Sequence, residues 1–375
     1  MRLSSALFFA LPLAALVGCE AGPGNGNGNG GCDGVELLGC GDHSMEAVQV
    51  DVLATSDDGL TNPRDLDFHP QTGDLWVVNK NETMTVLFDA DTSDVSTQHW
   101  TNGSAHFFAV PSGISFDEDG DWASSQETDD LTQGPNGTPA DFMGPTLWTG
   151  DLSLYDTAPN HAQHLDMLHN SPNGMGIEWA GFDNAFWYFD GAHSSITLYE
   201  FNEDHGLGGA DHSDGVTTRW AEGEFGWREG AVSHMAYDKD AELLYVADTG
   251  NGRIAVLDAT TGTDGSQIAP NYDGIDQHRI DDVDVTTFAD GDDVGFSRPS
   301  GMVLDGDVMY ITDSARGNIV AIDRDSGELL DWLETGLDSD SALGGLVVGP
   351  NGGLYVAVAG STDEIIRISV AEDAG

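Results

Sequence analysis

Histidines are concentrated in the middle of this chain. Seven of its twelve histidines fall between positions 161 and 234, at His161, His164, His169, His193, His205, His212 and His234. Two of the seven follow an aspartate in a glycine-rich segment, as Asp204–His205 and Asp211–His212. A neutral imidazole binds zinc, copper, iron or nickel, and a neighbouring carboxylate joins it on the metal or orients its ring. The pattern predicts a transition-metal site with the candidate ligands His193, His205, His212 and His234. The alternative is that these histidines are polar surface groups.

Charge and motifs exclude several other functions. The chain of 375 residues has 65 acidic and 12 basic residues, a formal net charge of −53. Such a surface repels nucleic acids and anionic lipid headgroups, so neither is expected as a partner. The sequence also contains no serine nucleophile elbow, no phosphate-binding loop and no motif for a cysteine nucleophile.

The candidate ligands must be positioned by a unit that recurs along the chain. Its clearest copy lies between Ser233 and Asp258, where three short apolar runs are separated by turns rich in Asp, Asn and Gly. Such runs are typical of antiparallel strands joined by hairpins. Six copies open at positions 63, 111, 172, 232, 299 and 343. Units of this size bury their faces by stacking radially, so the sequence predicts an all-β, six-bladed β-propeller.

The segment Tyr245–Ile254 (YVADTGNGRI) and openings such as Pro299-Ser-Gly resemble the blades of NHL-type propellers. The resemblance covers residues 60 to 370 and concerns architecture rather than activity. It implies that the position after each opening faces a central channel, which gives six channel positions: Arg64, Ser112, Asn173, His234, Ser300 and Gly344. We expect Arg64, Asn173 and Ser300 to be the candidates for binding a ligand or cofactor. The alternative is that these groups only bond to one another and to water.

Two enzyme families with similar propellers use the central channel. Amidating lyases hold zinc there with one histidine in each of three blades, and only His234 matches that pattern here. Lactonases of the senescence-marker-protein and paraoxonase type hold calcium with a carboxylate and several Asn or Asp. The segment Pro172–Met175 resembles the blade that supplies one such residue, as Asn173, and Asp65 is near the place of the carboxylate. The resemblance implies a calcium-dependent lactonase-like hydrolase as one alternative function.

The N-terminus is typical of an exported lipoprotein. Arg2 precedes the apolar stretch Leu7–Val17, and Leu16-Val-Gly-Cys19 matches the lipobox of bacterial lipoproteins. We expect residues 1–18 to be a signal peptide and Cys19 to be acylated, so that the chain meets the membrane only through its lipid anchor. Because Glu20 follows the cysteine, resemblance to enteric lipoproteins implies the outer membrane.

Residues 19–46 are rich in Gly and Asn at their start and are expected to form a flexible tether. In an exported chain, Cys32 and Cys40 are expected to form a disulfide, with a metal site shared with His43 as the alternative. Residues 47–375 are assigned to the propeller. The alternating segment Val48–Ala54 is predicted to supply the outermost strand of the last blade and to close the ring.

Three further expectations concern the blades themselves. Residues 125–149, 202–230 and 264–295 are interpreted as insertions between strands, and Leu152–Asp156 as the third strand of the second copy. Aromatic residues at equivalent second-strand positions are expected to pack between blades. These are Trp76, Trp122, Trp187, Tyr245, Tyr310 and Tyr355.

The sequence favours a monomeric, lipid-anchored propeller that acts as a binding or scaffold module, with an envelope protein or a small molecule as its partner. A metal-dependent enzyme built on the histidines is one alternative, with zinc, copper or iron as its cofactor. The calcium-dependent hydrolase is the other.

Overall fold

The computed structural model describes residues 32, 34–101, 107–129, 142–155, 163–209, 211–337 and 343–371. They form six sheets, five antiparallel and one with a single parallel pair, which are the six blades that the repeats predicted. The innermost strand of each blade contacts the innermost strand of the next, and the last contacts the first, so the blades form a ring. No helix in the described ranges is long and apolar enough to cross a membrane.

The first strand of the chain belongs to the last blade. Strand β1 (Val48–Thr55) pairs antiparallel with β26 (Glu364–Val370), from Val48 opposite Val370 to Thr55 opposite Glu364. An outer strand near the N-terminus and the other three strands near the C-terminus therefore share one sheet. This is the place that its alternating sequence predicted.

The remaining strands follow the order of the chain. Blade 1 contains β2 (Pro63–Phe68), β3 (Leu75–Asn79), β4 (Thr83–Phe88) and β5 (Ser96–Thr101). Blade 2 contains β6 (Pro111–Phe116), β7 (Trp122–Gln126), β8 (Thr146–Trp148) and β9 (His164–Met167). Blade 3 contains β10 (Gly174–Trp179), β11 (Ala185–Asp190), β12 (Ser195–Glu200) and β13 (Val216–Trp220).

The second half of the ring includes one extra hairpin. Blade 4 contains β14 (Met235–Asp238), β15 (Leu243–Asp248), β16 (Arg253–Asp258) and β19 (Val285–Asp290), and blade 5 contains β20 (Pro299–Asp305), β21 (Val308–Asp313), β22 (Asn318–Asp323) and β23 (Leu329–Glu334). Blade 6 contains β24 (Leu343–Val348), β25 (Leu354–Val358), β26 and β1. Strands β17 (Thr263–Gln267) and β18 (Asp276–Asp281) extend the sheet of blade 3, because β18 pairs in parallel with β13. The short helices are Glu36–Leu38, Met45–Ala47, Ser56–Asp58, Leu152–Leu154 and Gly291–Val294.

Three strand predictions were wrong. Residues 202–230 supply β13, the outer strand of blade 3, rather than only an insertion. The third strand of blade 2 is β8, inside the expected insertion, and Leu152–Leu154 is a single helical turn. Residues 264–295 supply β18, most of β17, and β19, the outer strand of blade 4, rather than a plain loop. Outer strands have one face in solvent and here are rich in Asp and Thr, so they lack the apolar pattern by which inner strands are recognised.

The end of the expected tether packs on blade 5. Leu38 is fully buried, and the amides of Val35 and Gly41 donate to the Asp331 carboxylate at 2.9 and 3.0 Å. Cys32 and Cys40 form the expected disulfide. His43 stacks on Trp332 with 3.4 Å between ring centroids, so His43 has a packing role in this segment.

Aromatic side chains pack between blades as predicted. Trp76 lies edge-on to Phe116 of the next blade at 5.3 Å and is 1% exposed. The segment that resembles NHL blades has a structural role as well. Asp248 is buried, and its carboxylate accepts hydrogen bonds from Arg253 Nε at 2.7 Å and from the Asn251 amide. Each blade therefore stabilises its own turn and its neighbour.

Candidate functional site

The central channel has two different ends. The innermost strands all run in one direction, so their first residues meet at one end and their last residues at the other. A cavity of about 230 Å³ lies at the first end, which we call the basic mouth. Its polar lining residues are Asn62, Arg64, Lys80, Glu229, Arg298, Ser300 and Ser314. A second cavity of about 310 Å³, the inner chamber, is lined by Asp65, Asp67, Glu178, His234 and apolar side chains of the same strands.

Arg64 is the most constrained residue of the basic mouth. It is 4% exposed, and its Nη2 donates to Glu127 Oε2 at 2.8 Å. The other oxygen of Glu127 accepts a hydrogen bond from the amide of Gly230, which holds the carboxylate in place. Arg64 Nη1 is buried and has no hydrogen-bond partner among the residues that the structure describes. A buried guanidinium nitrogen without an acceptor is unfavourable, so this position fits an anionic ligand atom.

Two more cations line the same cavity. Lys80 follows strand β3, and Arg298 directly precedes the first proline of β20. Among the described residues, neither side chain forms an ion pair with a carboxylate. Three of the twelve basic residues of a chain with charge −53 thus line one small cavity. Exposed Glu229 is the one carboxylate in its lining.

The three predicted ligand-binding residues lie at this end of the channel, but in two cavities. Arg64 and Ser300 line the basic mouth, where the Ser300 hydroxyl donates to Val232 O at 2.9 Å. Asn173 lines an adjacent cavity of about 460 Å³, together with Lys80, Glu127 and Glu229. Asn173 therefore lines a different cavity from Asp65.

The inner chamber contains three carboxyl groups that link blades. Asp65 Oδ2 accepts from the Ile114 amide and Asp67 Oδ2 from the Phe116 amide, each at 2.9 Å, while Glu178 accepts from the Tyr237 amide at 3.3 Å. Burial raises the pKa of Asp65 to about 8 and that of Glu178 to about 8. Burial, reinforced by the charge of Asp65, raises the pKa of Asp67 to about 7. These groups favour the protonated form because burial among the strands reduces the hydration of the charged carboxylate.

His234 also lies in the inner chamber rather than with other histidines. Its Nε2 is 3.1 Å from the carbonyl oxygen of Ser112, and its Nδ1 is 3.3 Å from Asp65 Oδ1. Burial lowers the pKa of His234 to about 4. A carbonyl oxygen only accepts, so Nε2 carries the proton of the neutral ring and Nδ1 presents its lone pair to Asp65.

The structure brings together two of the four predicted metal-binding histidines. His205 Nε2 lies 2.7 Å from Asp214 Oδ1, and His212 Nδ1 is hydrogen-bonded to Asp166 Oδ1. Hydrogen bonding to Asp214 raises the pKa of His205, and hydrogen bonding to Asp166 raises the pKa of His212. Ligand atoms of Asp166, His205 and Asp214 all lie within 4.8 Å of one another.

His193 and His234 are not part of this group, so the expected four-histidine site does not form. His193 precedes β12 and pairs with Asp190 at 2.8 Å, whereas His205 follows the other end of β12. A strand of six residues spans roughly 20 Å, which is too far for two ligands of one ion. His234 is on the channel axis. The prediction failed because residues that are close in sequence lie far apart in space when an extended strand runs between them.

Sequence reasoning missed Lys80, Arg298 and Glu127 at the basic mouth, and Asp166 and Asp214 beside the histidines. The sequence contained one indication of the basic mouth: Arg298 immediately precedes an opening proline in a chain with few cations. Asp166 had no such signal, since it lies on an outer strand of a different blade. Cys19 and His161 lie outside the described residues.

Comparisons with known proteins identify the fold. No protein-family model matches the chain, and no curated protein sequence matches it significantly. Among solved structures, a gluconolactonase from Xanthomonas campestris aligns with a TM-score of 0.54 at 13% identity, over 88% of this chain and 92% of that one. A luciferin-regenerating enzyme aligns with a TM-score of 0.52 at 15% identity, over 86% and 95%. An auxiliary nutrient binding protein from Bacteroides ovatus gives 0.51 at 12% identity, over 87% and 77%. At these identities the likeness shows a six-bladed propeller fold.

Proposed function

We propose that this chain is a binding propeller that holds a small anionic molecule, through a carboxylate or phosphate group, at the basic mouth of its channel. The observation that carries the proposal is Arg64, whose buried Nη1 has no partner while Nη2 is fixed by Glu127. Guanidinium groups form charge-assisted hydrogen bonds with carboxylates and phosphates. Lys80 and Arg298 add two cations within the same cavity.

Size and surroundings restrict the ligand further. The cavity of about 230 Å³ is smaller than the sites of drug-sized ligands, so it suits a metabolite of few carbon atoms. The strongly negative chain would repel a free anion from most of its surface, whereas the cations of the basic mouth attract it. Propellers of this fold include a nutrient binding protein, which supports a binding role.

We also propose that the propeller is exported and lipid-anchored through Cys19, at the outer membrane. Its support is the order of basic residue, apolar stretch and lipobox in the sequence. Radiolabelled palmitate incorporated into the wild type but not into Cys19→Ser, with release of that variant from the membrane fraction, is the expected result. Equal labelling of both proteins would contradict the anchor.

The ligand proposal is tested by calorimetric titration of the full chain with gluconate and with inorganic phosphate. We expect saturable binding of at least one probe. Arg298→Gln and Lys80→Gln should each weaken it about tenfold or more, since a hydrogen bond to a charged group contributes about 1.5–3 kcal/mol. The matched control is Arg279→Gln, because Arg279 pairs with Glu222 on the edge of blade 3. Binding that is absent in the wild type, or equally weakened by the control, would contradict the proposal.

A further inference from the structure

Four side chains on the outer part of blades 2 and 3 form what we call the rim cluster: Asp166, His205, His212 and Asp214. Asp166 is on β9, the outer strand of blade 2. The other three are on the segment between β12 and β13 of blade 3. The cluster therefore joins two blades, away from the channel axis and the basic mouth.

Asp166 has an oxygen with no partner. The residue is fully buried, and its Oδ1 accepts from the Met167 amide at 2.6 Å and from His212 Nδ1. Within the described part of the chain, its buried Oδ2 has no hydrogen-bond partner. A buried carboxylate oxygen is normally paired, because losing its hydration without compensation is unfavourable. A cation beside Oδ2 would supply the missing interaction.

Ligand atoms of His205 and Asp214 lie close to the Asp166 carboxylate. Single ligand atoms of Asp166, His205 and Asp214 lie within 4.8 Å of one another, a spacing that one ion could bridge. Two hydrogen bonds fix the position of Asp214. Its Oδ2 accepts one from the Glu203 amide at 3.0 Å, and its backbone carbonyl accepts one from the Asn202 side chain at 2.7 Å. His205 and Asp214 are 20% and 30% exposed at their side chains, so an ion can enter from solvent.

We propose that Asp166, His205 and Asp214 form a zinc site with three protein ligands, in which His212 positions the Asp166 carboxylate. One imidazole nitrogen and two carboxylate oxygens belong to the donor set that zinc uses in proteins. The two aspartates balance the charge of Zn²⁺, so the ion and its two carboxylates together have no net charge in this partly buried place. His212 donates to Oδ1 and leaves Oδ2 free for the metal, as groups behind metal ligands commonly do. Three protein ligands leave a fourth position for water or for an atom of a bound molecule.

The experiment uses the full chain, purified in detergent without a polyhistidine tag or chelator, loaded with ZnCl₂ and dialysed. Elemental analysis should find one zinc per chain in the wild type and no stoichiometric zinc in His205→Ala. Competition with a chromophoric zinc chelator should show about 10–100-fold weaker binding in His212→Ala, as is usual for groups that orient a ligand. Cobalt loading of the wild type should give the visible absorption of a tetrahedral site, and this absorption should be lost in His205→Ala.

The matched control is His278→Ala. His278 also lies between two aspartates, at 3.6 Å from Asp264 and 3.3 Å from Asp276, but both carboxylates are mostly exposed. This variant should keep the wild-type zinc content, as should His193→Ala. If His205→Ala unfolds, Asp214→Asn replaces it, since Asn keeps the shape of the side chain and should also lose stoichiometric zinc. Zinc content that is unchanged in both variants, equally reduced in the controls, or replaced by calcium alone would overturn the proposal.

Discussion

Asp65 Oδ1 and His234 Nδ1 lie 3.3 Å apart in the inner chamber, yet the pair is not an ion pair at neutral pH. Burial raises the pKa of the Asp65 carboxyl to about 8 and lowers the pKa of the His234 imidazole to about 4. Between these pH values the Asp65 carboxyl keeps its proton and the His234 ring is neutral, with a single N–H. The Ser112 carbonyl places the ring proton on Nε2, so the lone pair of Nδ1 faces the protonated carboxyl.

The first prediction concerns the pH dependence of stability. At pH 6.5 an unfolded histidine is still about half protonated, so His234 makes stability rise slightly with pH until about pH 7.5. Asp65 and Glu178 are still protonated in the folded chain but ionised in the unfolded chain. The unfolded state then binds fewer protons, so the free energy of unfolding should fall as the pH rises from about 6.5 to 8. Below pH 6.5 the lowered pKa of His234 acts in the opposite direction and partly offsets this slope.

Urea unfolding at pH 6.5 and pH 8 measures this effect. Asp65→Asn should lose less stability across this interval than the wild type, because the amide does not titrate. Asp57→Asn is the control for total charge, since Asp57 is exposed. The same pH response in Asp65→Asn and the wild type would contradict the protonated state of Asp65.

The second prediction concerns the buried pair at the basic mouth. The Arg64 and Glu127 side chains are 4% and 5% exposed and 2.8 Å apart. Arg64→Met leaves the Glu127 charge buried without its cation, which should cost about 3–5 kcal/mol of stability. The double variant Arg64→Met/Glu127→Gln should be less destabilised than this single variant. A double-mutant cycle by urea unfolding checks the coupling, and additive effects would show that the pair does not act as a unit.

The third prediction concerns the crowded axis of the ring. A Cβ on Gly345 would lie 2.0 Å from Asp65 Oδ1. Gly345→Ala should therefore lower stability by about 1–3 kcal/mol, as overpacking of a filled interior does. Gly353→Ala is the milder control, because its Cβ would meet the flexible Arg367 side chain at 3.3 Å. Thermal unfolding distinguishes the two variants. Equal melting temperatures would mean that the strands around the channel axis can move apart to accept the added methyl group.

The fourth prediction concerns the turn of blade 4. Asp248 accepts hydrogen bonds from Arg253, Asn251 and the Gly226 amide while fully buried. Asp248→Ala leaves these donors without an acceptor and should cost about 1–3 kcal/mol. Asp264→Ala, at a side chain that is 89% exposed, is the control and should have little effect. Chemical unfolding curves that coincide for the two variants would contradict the structural role of this aspartate.

The number of blades and their order could be predicted from the sequence because each blade is built mostly from neighbours along the chain. Strands such as β14, β15 and β16 follow one another with tight turns, and their short apolar runs record that local pairing. The aromatic positions were predictable for the same reason, since a residue type that recurs at one place in every blade meets the same neighbour. The outer strand β19 was not, because its exposed face has no apolar pattern, and β8 was not, because it has only three residues.

The chemistry of the two candidate sites depended on contacts that the order of residues does not encode. The sequence alone determined a six-bladed, strongly acidic propeller and marked Arg64, His205 and His212 as residues of interest. Only the tertiary structure placed Glu127 against Arg64 and Asp166 against His212, by closing separate blades on one another. The same packing separated His193 from His205, because β12 extends between them. Strand pairing is local and produces a repeating pattern in the sequence. A site assembled from several blades takes one residue from each blade and produces no such pattern.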